Sequence, residues 1–266
     1  MRQLIRRRLP WFTTPGLIIA FGVFWHLYIV LFDVNSFILP KPLDVVVSYF
    51  ELLGDSRLWE ATGVTVFETL LGFFFALIIG VGGGAILGKV PWLEETARPF
   101  VIATQVVPKV ALISLFVLWF GFGSFPKVLI ATILAFFPIL TNTLLGVKSV
   151  DLGHKDVMTS LNAGRWETFK TLEFPSALPA IIAGMEVGIV LAYIGAIVGE
   201  FLAGQAGLGF LTIDYQNAFD VGGLFGVLVQ LTFVGFVMYL AIVTLKRVLI
   251  PWHESVIVEK VQQPVG

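Results

Sequence analysis

Residues 151–179 read DLGHKDVMTSLNAGRWETFKTLEFPSALP, from Asp151 to Pro179, and form the longest polar interval between two apolar blocks of the chain. The interval holds Asp151, His154, Lys155, Asp156, Arg165, Glu167, Lys170 and Glu173, in a chain where only 13% of residues are charged. Asp156–Leu161 is long enough for a helical turn or more. Asn162-Ala163-Gly164 follows, with residues that tolerate left-handed backbone angles. Arg165–Phe174 reads as a second amphipathic set of turns, and Pro175 and Pro179 are expected to punctuate its end. A helix–break–helix between two apolar blocks has two readings: a docking surface for another protein, or an ordinary solvated connection.

The composition on either side bounds the class. Hydrophobic residues make up 57% of the chain and Phe alone accounts for 25 residues. A soluble domain carries about a quarter charged residues, so this chain lies well outside that class. The net charge of −1 leaves no basic surplus for nucleic acid. There is no cysteine, hence no disulfide framework, thiolate nucleophile or Cys metal site, and His26, His154 and His253 lie too far apart in sequence to suggest a metal cluster.

Six apolar runs approach the roughly 20 residues needed to cross a bilayer. They are Thr14–Phe32, Thr62–Gly88, Phe100–Phe120, Lys127–Gly146, Ala180–Ala203 and Gly222–Ile250. Solid apolar runs without alternation favour helices over a barrel. The first run follows Arg2, Arg6, Arg7 and Arg8 and is long enough to be a retained helix rather than a cleaved signal. Three regions are therefore expected: a basic N-terminus (1–13), a transmembrane domain (14–250) containing the 151–179 loop, and a tail (251–266) whose last residues, Glu259–Gly266, read as disordered.

Lys and Arg set the expected orientation. With the N-terminus inside, one side collects Arg2, Arg6, Arg7, Arg8, Lys89, Arg98, Lys148, Lys155, Arg165, Lys170, Lys246, Arg247 and Lys260. The other side has Lys41, Arg57 and Lys127, and Lys109 falls inside the third span. Both termini and the 151–179 loop are thus expected in the cytoplasm. The first external segment, Asp33–Ala61, contains Pro40, Pro42 and an amphipathic run Leu43–Leu53, expected to form a short helix along the outer face.

Two spans carry small residues four apart, a pattern that lets helices approach closely. They are Ala76, Gly80, Gly84 and Gly88 in the second, and Gly184, Gly188, Ala192 and Ala196 in the fifth, with Glu200 next in that series. Gly83–Lys89 also matches G-x-x-x-x-G-K, but Val90 stands where a phosphate loop needs Ser or Thr, and an apolar helix precedes it. Lys109 follows Pro108 at membrane depth, where it should face a cavity, snorkel or pair with a carboxylate, the candidates being Glu68, Glu186 and Glu200. These groups either line a translocation route or fix helix packing.

The ordered set of motifs resembles the permease subunits of ATP-binding-cassette (ABC) importers, in particular the nitrate/sulfonate/taurine family. In the resemblance, Asp156-Val157-Met158 stands at the Glu-Ala-Ala of the family's "EAA" loop, Asn162 at its Gly, and Phe174-Pro175 at its apolar-Pro pair. Leu39-Pro40-Lys41-Pro42, Leu118–Gly123, Gly199-Glu200-Phe201-Leu202, Gly207-Leu208-Gly209 and Pro251-Trp252-His253 also resemble family segments, while Glu186 departs from a commoner Arg. Together they cover about Trp25 to His253.

The resemblance implies an all-α membrane protein of about six spans with a methionine-importer-like permease fold, in the bacterial cytoplasmic (inner) membrane. It implies an ATPase-coupling loop in which Asp156, Met158, Gly164, Arg165, Trp166, Phe169 and Pro175 meet the partner and Asn162 holds the turn. The chain itself binds no cofactor, and ATP and Mg belong to two separate ATPase subunits. Further implied partners are a second permease chain, identical or a sister, an external binding protein that delivers a small anionic or organic solute, and membrane lipid. No nucleophile elbow, HExxH or carboxylate–base pair supports an enzyme. An ion-coupled secondary transporter is the alternative. It would need broken midplane helices or an inverted repeat.

Overall fold

The computed structural model describes the backbone of residues 2–253 and the side chains of 13 and 15–253. The side chains of Arg2, Arg6, Arg7 and Arg8, and the tail Glu259–Gly266 with Lys260, lie outside the described residues.

The described chain is helical throughout, in the order α1 (Arg2–Leu31), α2 (Pro42–Leu52), α3 (Ser56–Lys89), α4 (Pro91–Val106), α5 (Leu112–Phe120), α6 (Ser124–Lys148), α7 (Leu152–Ser160), α8 (Arg165–Thr168), α9 (Phe174–Ala203), α10 (Leu208–Asn217) and α11 (Val221–Leu249). Four stretches are long and apolar enough to cross a membrane: α3, α6, the continuous helical run Arg165–Ala203, and α11. A bent apolar helix pair, Pro91–Val106 with Lys109–Phe120, would make a fifth if it is one span, and Pro15–Leu31 within α1 is a shorter apolar helix.

The core is a three-helix clamp. α6 lies between α3 and α9, and the small residues of the two flanking helices face it. A Cβ at Gly80 would stand 2.8 Å from Ile139 Cγ2, at Gly84 2.6 Å from the Leu140 carbonyl, and at Gly88 2.9 Å from Val147. From the other side, Gly184 meets the Pro138 carbonyl at 2.9 Å and Gly188 meets Ile139 at 2.9 Å. With nothing larger than hydrogen at these points, the backbones come close enough for dispersion and Cα–H···O contacts to hold them. Ala76, Ala131, Ala135, Ile139, Ala192 and Ala196 fill the seam and are fully enclosed.

α2 is the expected short helix after Pro40 and Pro42, with Pro42 in its first turn. It packs on α11, where Tyr49 donates to Gln230 at 2.9 Å. Outward-facing Leu17, Ile18, Phe24, Phe67, Ile78 and Phe233 are more than half exposed, as a lipid-facing surface requires.

Two expectations are corrected. The third span, Phe100–Phe120, is not one helix: α4 and α5 meet at 74°. Pro108 has no N–H to continue the ladder and its ring pushes Val107 out of the helical region, to φ −60°, ψ 130°. Conversely, Pro175 and Pro179 do not end the amphipathic segment. Helix continues from Arg165 through a π turn, Phe169–Glu173, straight into α9. Pro175 follows directly on that π turn, in which Phe174 N donates to the Phe169 carbonyl five residues back, so the hydrogen-bond register shifts where the missing Pro175 N–H falls.

Candidate functional site

Three groups of residues carry chemistry. The first is the 151–179 segment. Asp151 caps α7, its Oδ1 accepting from Gly153 N at 2.6 Å and His154 N at 3.3 Å. At the other end Asn162 takes φ +54°, and Ala163 N donates to the Met158 carbonyl at 3.0 Å. This is a left-handed helix stop, with Asn in the position Gly usually holds. Gly164, expected to share that role, is extended at φ −68°, ψ 163°, and a Cβ there would meet nothing within 4 Å. Asn162 alone makes the turn.

Beyond the turn, Trp166 is 73% exposed and Leu161 71%, while Asp156 and Arg165 stand exposed beside them. Phe169 turns inward instead. Its ring lies 5.7 Å from Trp166 and 6.0 Å from Phe174, and Lys89 Nζ sits 4.2 Å over it. Lys89 also pairs with Glu173 at 2.7 Å, so the segment is strapped to the end of α3.

The second group is a buried polar knot between α3, α6, α9 and α10. Lys127 Nζ lies 2.6 Å from Glu68 Oε1, with both residues enclosed, although neither Glu68 oxygen makes an aligned hydrogen bond. The pair is therefore held by charge proximity. Lys127, expected in an external loop, belongs inside the core. Glu200 accepts from Thr65 Oγ1 at 2.7 Å and from Gly209 N at 2.6 Å, while Leu208 N donates to Thr65 at 2.8 Å. Gly207 has φ +106°, and a Cβ there would collide with the Glu200 carboxylate. Gly207-Leu208-Gly209 is thus a hairpin shaped to seat Glu200 at the start of α10. The C-terminal half of α10 is tied by Arg57–Asp214 at 2.5 Å. Burial, and then Asp55, raise the nearby Tyr215 phenol above its ordinary value.

The third group surrounds Lys109. None of its expected partners reaches it: Glu68 takes Lys127, Glu200 takes Thr65 and Gly209, and Glu186 pairs with Lys246 at 3.1 Å. Lys109 donates to the Gln105 carbonyl at 3.2 Å and lies 5.1 Å over the Phe137 ring. It lines a cavity of about 400 Å³ with Thr104, Thr132, Phe136 and Phe137, opened by the break at Pro108. Sequence reading missed Thr65 and Asp214, and it set Lys127 at the edge of the fourth span as an external charge, whereas α6 begins three residues earlier, at Ser124.

The family model described as "Binding-protein-dependent transport system inner membrane component" matches residues 72–254. The chain belongs to this family. It is the permease subunit of an ABC import system and a multi-pass inner-membrane protein. The permease is 35% identical over 255 residues to the riboflavin transport system permease protein RibX of Chloroflexus aurantiacus, covering 96% of this chain and 95% of that one. It is 29% identical to the formylaminopyrimidine transport permease protein ThiX of Halalkalibacterium halodurans (88% and 95%). It is 27% identical to the taurine transport system permease protein TauC of Escherichia coli (87% and 86%). Among solved structures, an inward-facing form of the methionine ABC transporter MetNI matches with a TM-score of 0.65 at 17% identity, over 73% of this chain and 96% of that one. That likeness bears on the fold alone.

Proposed function

We propose that two copies of this permease, or this chain and a sister, form one translocation pathway, with both termini and the 151–179 segments in the cytoplasm. One ATPase subunit docks on each segment. ATP and Mg bind there, and this chain holds no cofactor. The observation that carries the reading is the exposed pair Leu161 and Trp166 on a rigidly capped turn, flanked by Asp156 and Arg165. Exposed large apolar groups rimmed by charge mark a protein interface. ATP binding draws the ATPases and their two docked segments together and turns the pathway outward. An external binding protein then delivers the solute, and hydrolysis resets the cycle.

The solute is a small anionic or organic molecule. The similar permeases are named for the transport of riboflavin, formylaminopyrimidine and taurine, all polar small molecules. Lys109, which pairs with no carboxylate among the described residues and is set against Phe137, is suited to meet an anionic or carbonyl-bearing group in transit. Glu68, Glu186 and Glu200 act through packing.

The test is purification from native membranes in mild detergent. A stoichiometric ATPase should co-purify with the wild-type chain and be lost from an Asp156→Lys, Trp166→Ala variant that still folds. A clean oligomer with no ATPase, under conditions that preserve a known ABC complex, would overturn the docking assignment.

A further inference from the structure

The inner ends of α3 and α6 and the 151–179 segment enclose a cavity of about 730 Å³, separate from the Lys109 pocket. Lys89, Lys148, Lys155 and Arg165 line it, from three different parts of the chain, with Glu173 as the one carboxylate among its walls. Two of these cations are neutralised: Lys89 by Glu173 at 2.7 Å, and Lys148 by Glu94 at 2.7 Å. Lys155 and Arg165 form no ion pair among the described residues, and neither Asp156 nor Glu167 lines the cavity.

Like charges gathered around one concavity repel unless an anion sits between them. We propose that this cavity binds a phosphate-bearing anion, either a lipid headgroup or a free phosphate compound, between Lys155 and Arg165. Two unpaired cations can share the phosphate oxygens of either source, the double charge of a phosphate monoester or the single charge of a phosphodiester headgroup. The guanidinium of Arg165 offers a paired donor fork and Lys155 a point charge, the combination phosphate oxygens favour. The cavity is several times larger than one phosphate group and falls in the range of organic ligand sites, about 300–1,000 Å³, so the anion carries a further moiety into it. An occupied site braces α7 and α8 against α3 and α6. The anion would thus stiffen the segment next to the exposed Trp166 surface.

The full-length permease, purified without its ATPase, separates the sources. In nanodiscs of pure phosphatidylcholine, retention of radiolabelled inorganic phosphate and pyrophosphate is measured by equilibrium dialysis. In mild detergent, native mass spectrometry scores phosphatidylglycerol against phosphatidylcholine retention. Saturable phosphate or pyrophosphate binding in the nanodiscs supports a free anion. Selective phosphatidylglycerol retention alone supports a headgroup.

In either case Lys155→Gln and Arg165→Gln should each lower retention about tenfold, the loss expected for one charge-assisted hydrogen bond. Lys170→Gln, on the same segment but off the cavity, should leave it unchanged. Equal losses in all three variants would reduce the effect to diffuse surface charge and overturn the site. So would the joint absence of saturable phosphate or pyrophosphate binding and of selective phosphatidylglycerol retention. If neither probe binds and Lys155→Gln instead releases the ATPase, the cations serve the partner's carboxylates and the proposal falls.

Discussion

Asn162 and Lys127 are single residues on which much rests, for opposite physical reasons. Asn162 holds a backbone angle that a β-branched residue adopts only at a cost of about 1–2 kcal/mol. Asn162→Val should therefore loosen the turn, and in proteoliposomes with the ATPase the solute moved per ATP hydrolysed should fall while hydrolysis continues. Asn162→Gly, which takes the angle freely, should keep the ratio. An unaltered ratio in Asn162→Val would remove the turn from coupling. Lys127 is bound by charge instead. Its replacement by Met leaves the enclosed Glu68 unpaired, a loss of about 3–5 kcal/mol in buried pairs. Lys127→Met should lower the unfolding midpoint in detergent sharply, and Lys127→Met with Glu68→Leu should recover most of it. No recovery in the double variant would mean that Lys127 matters for shape rather than charge.

At the scale of elements, the clamp of α3 and α9 on α6 makes a contrast between neighbours that differ only in facing. Gly84 would bring a Cβ to 2.6 Å from a backbone carbonyl, whereas Gly82 would meet nothing within 4 Å. Gly84→Ala should destabilise by about 1–3 kcal/mol, as overpacking does. Gly82→Ala should be neutral or slightly stabilising, which thermal unfolding of the two variants would check. These ridges were legible in the sequence because their four-residue spacing is local and needs no knowledge of the partner helix. The apolar blocks and α2 were legible for the same reason.

Four features were not. Whether Pro108 bends or breaks a helix depends on what the freed backbone packs against. Pro175 is tolerated only because a π turn precedes it, and no residue pattern announced that turn. The pairing of Glu68 with Lys127 rather than Lys109 follows from the register of α3 on α6, which packing chooses. In the 151–179 segment the capped turn could be read off the residues, but the inward turn of Phe169 onto Lys89 could not.

For the whole molecule, the cysteine-free sequence offers a clean test of orientation. Ser36→Cys, in the exposed loop before α2, should react with a membrane-impermeant maleimide in intact right-side-out vesicles. Thr159→Cys, on α7, should react only after permeabilisation. The reverse pattern would invert the proposed topology and put the docking surface on the wrong side for an ATPase.

The uninterrupted helical run from Arg165 to Ala203 has 39 residues. At 1.5 Å per residue that is about 58 Å, nearly twice a bilayer's hydrocarbon core. One end carries the turn that exposes Trp166, and the other ends beside Glu200 and the hairpin it seats. Such a strut behaves as a connecting rod, since helical hydrogen bonds resist compression along the axis. A push on its inner end has one soft joint in which to dissipate, the π turn at Phe169–Glu173. What that joint does not absorb travels along α9 to its Glu200 end, against which α10 packs.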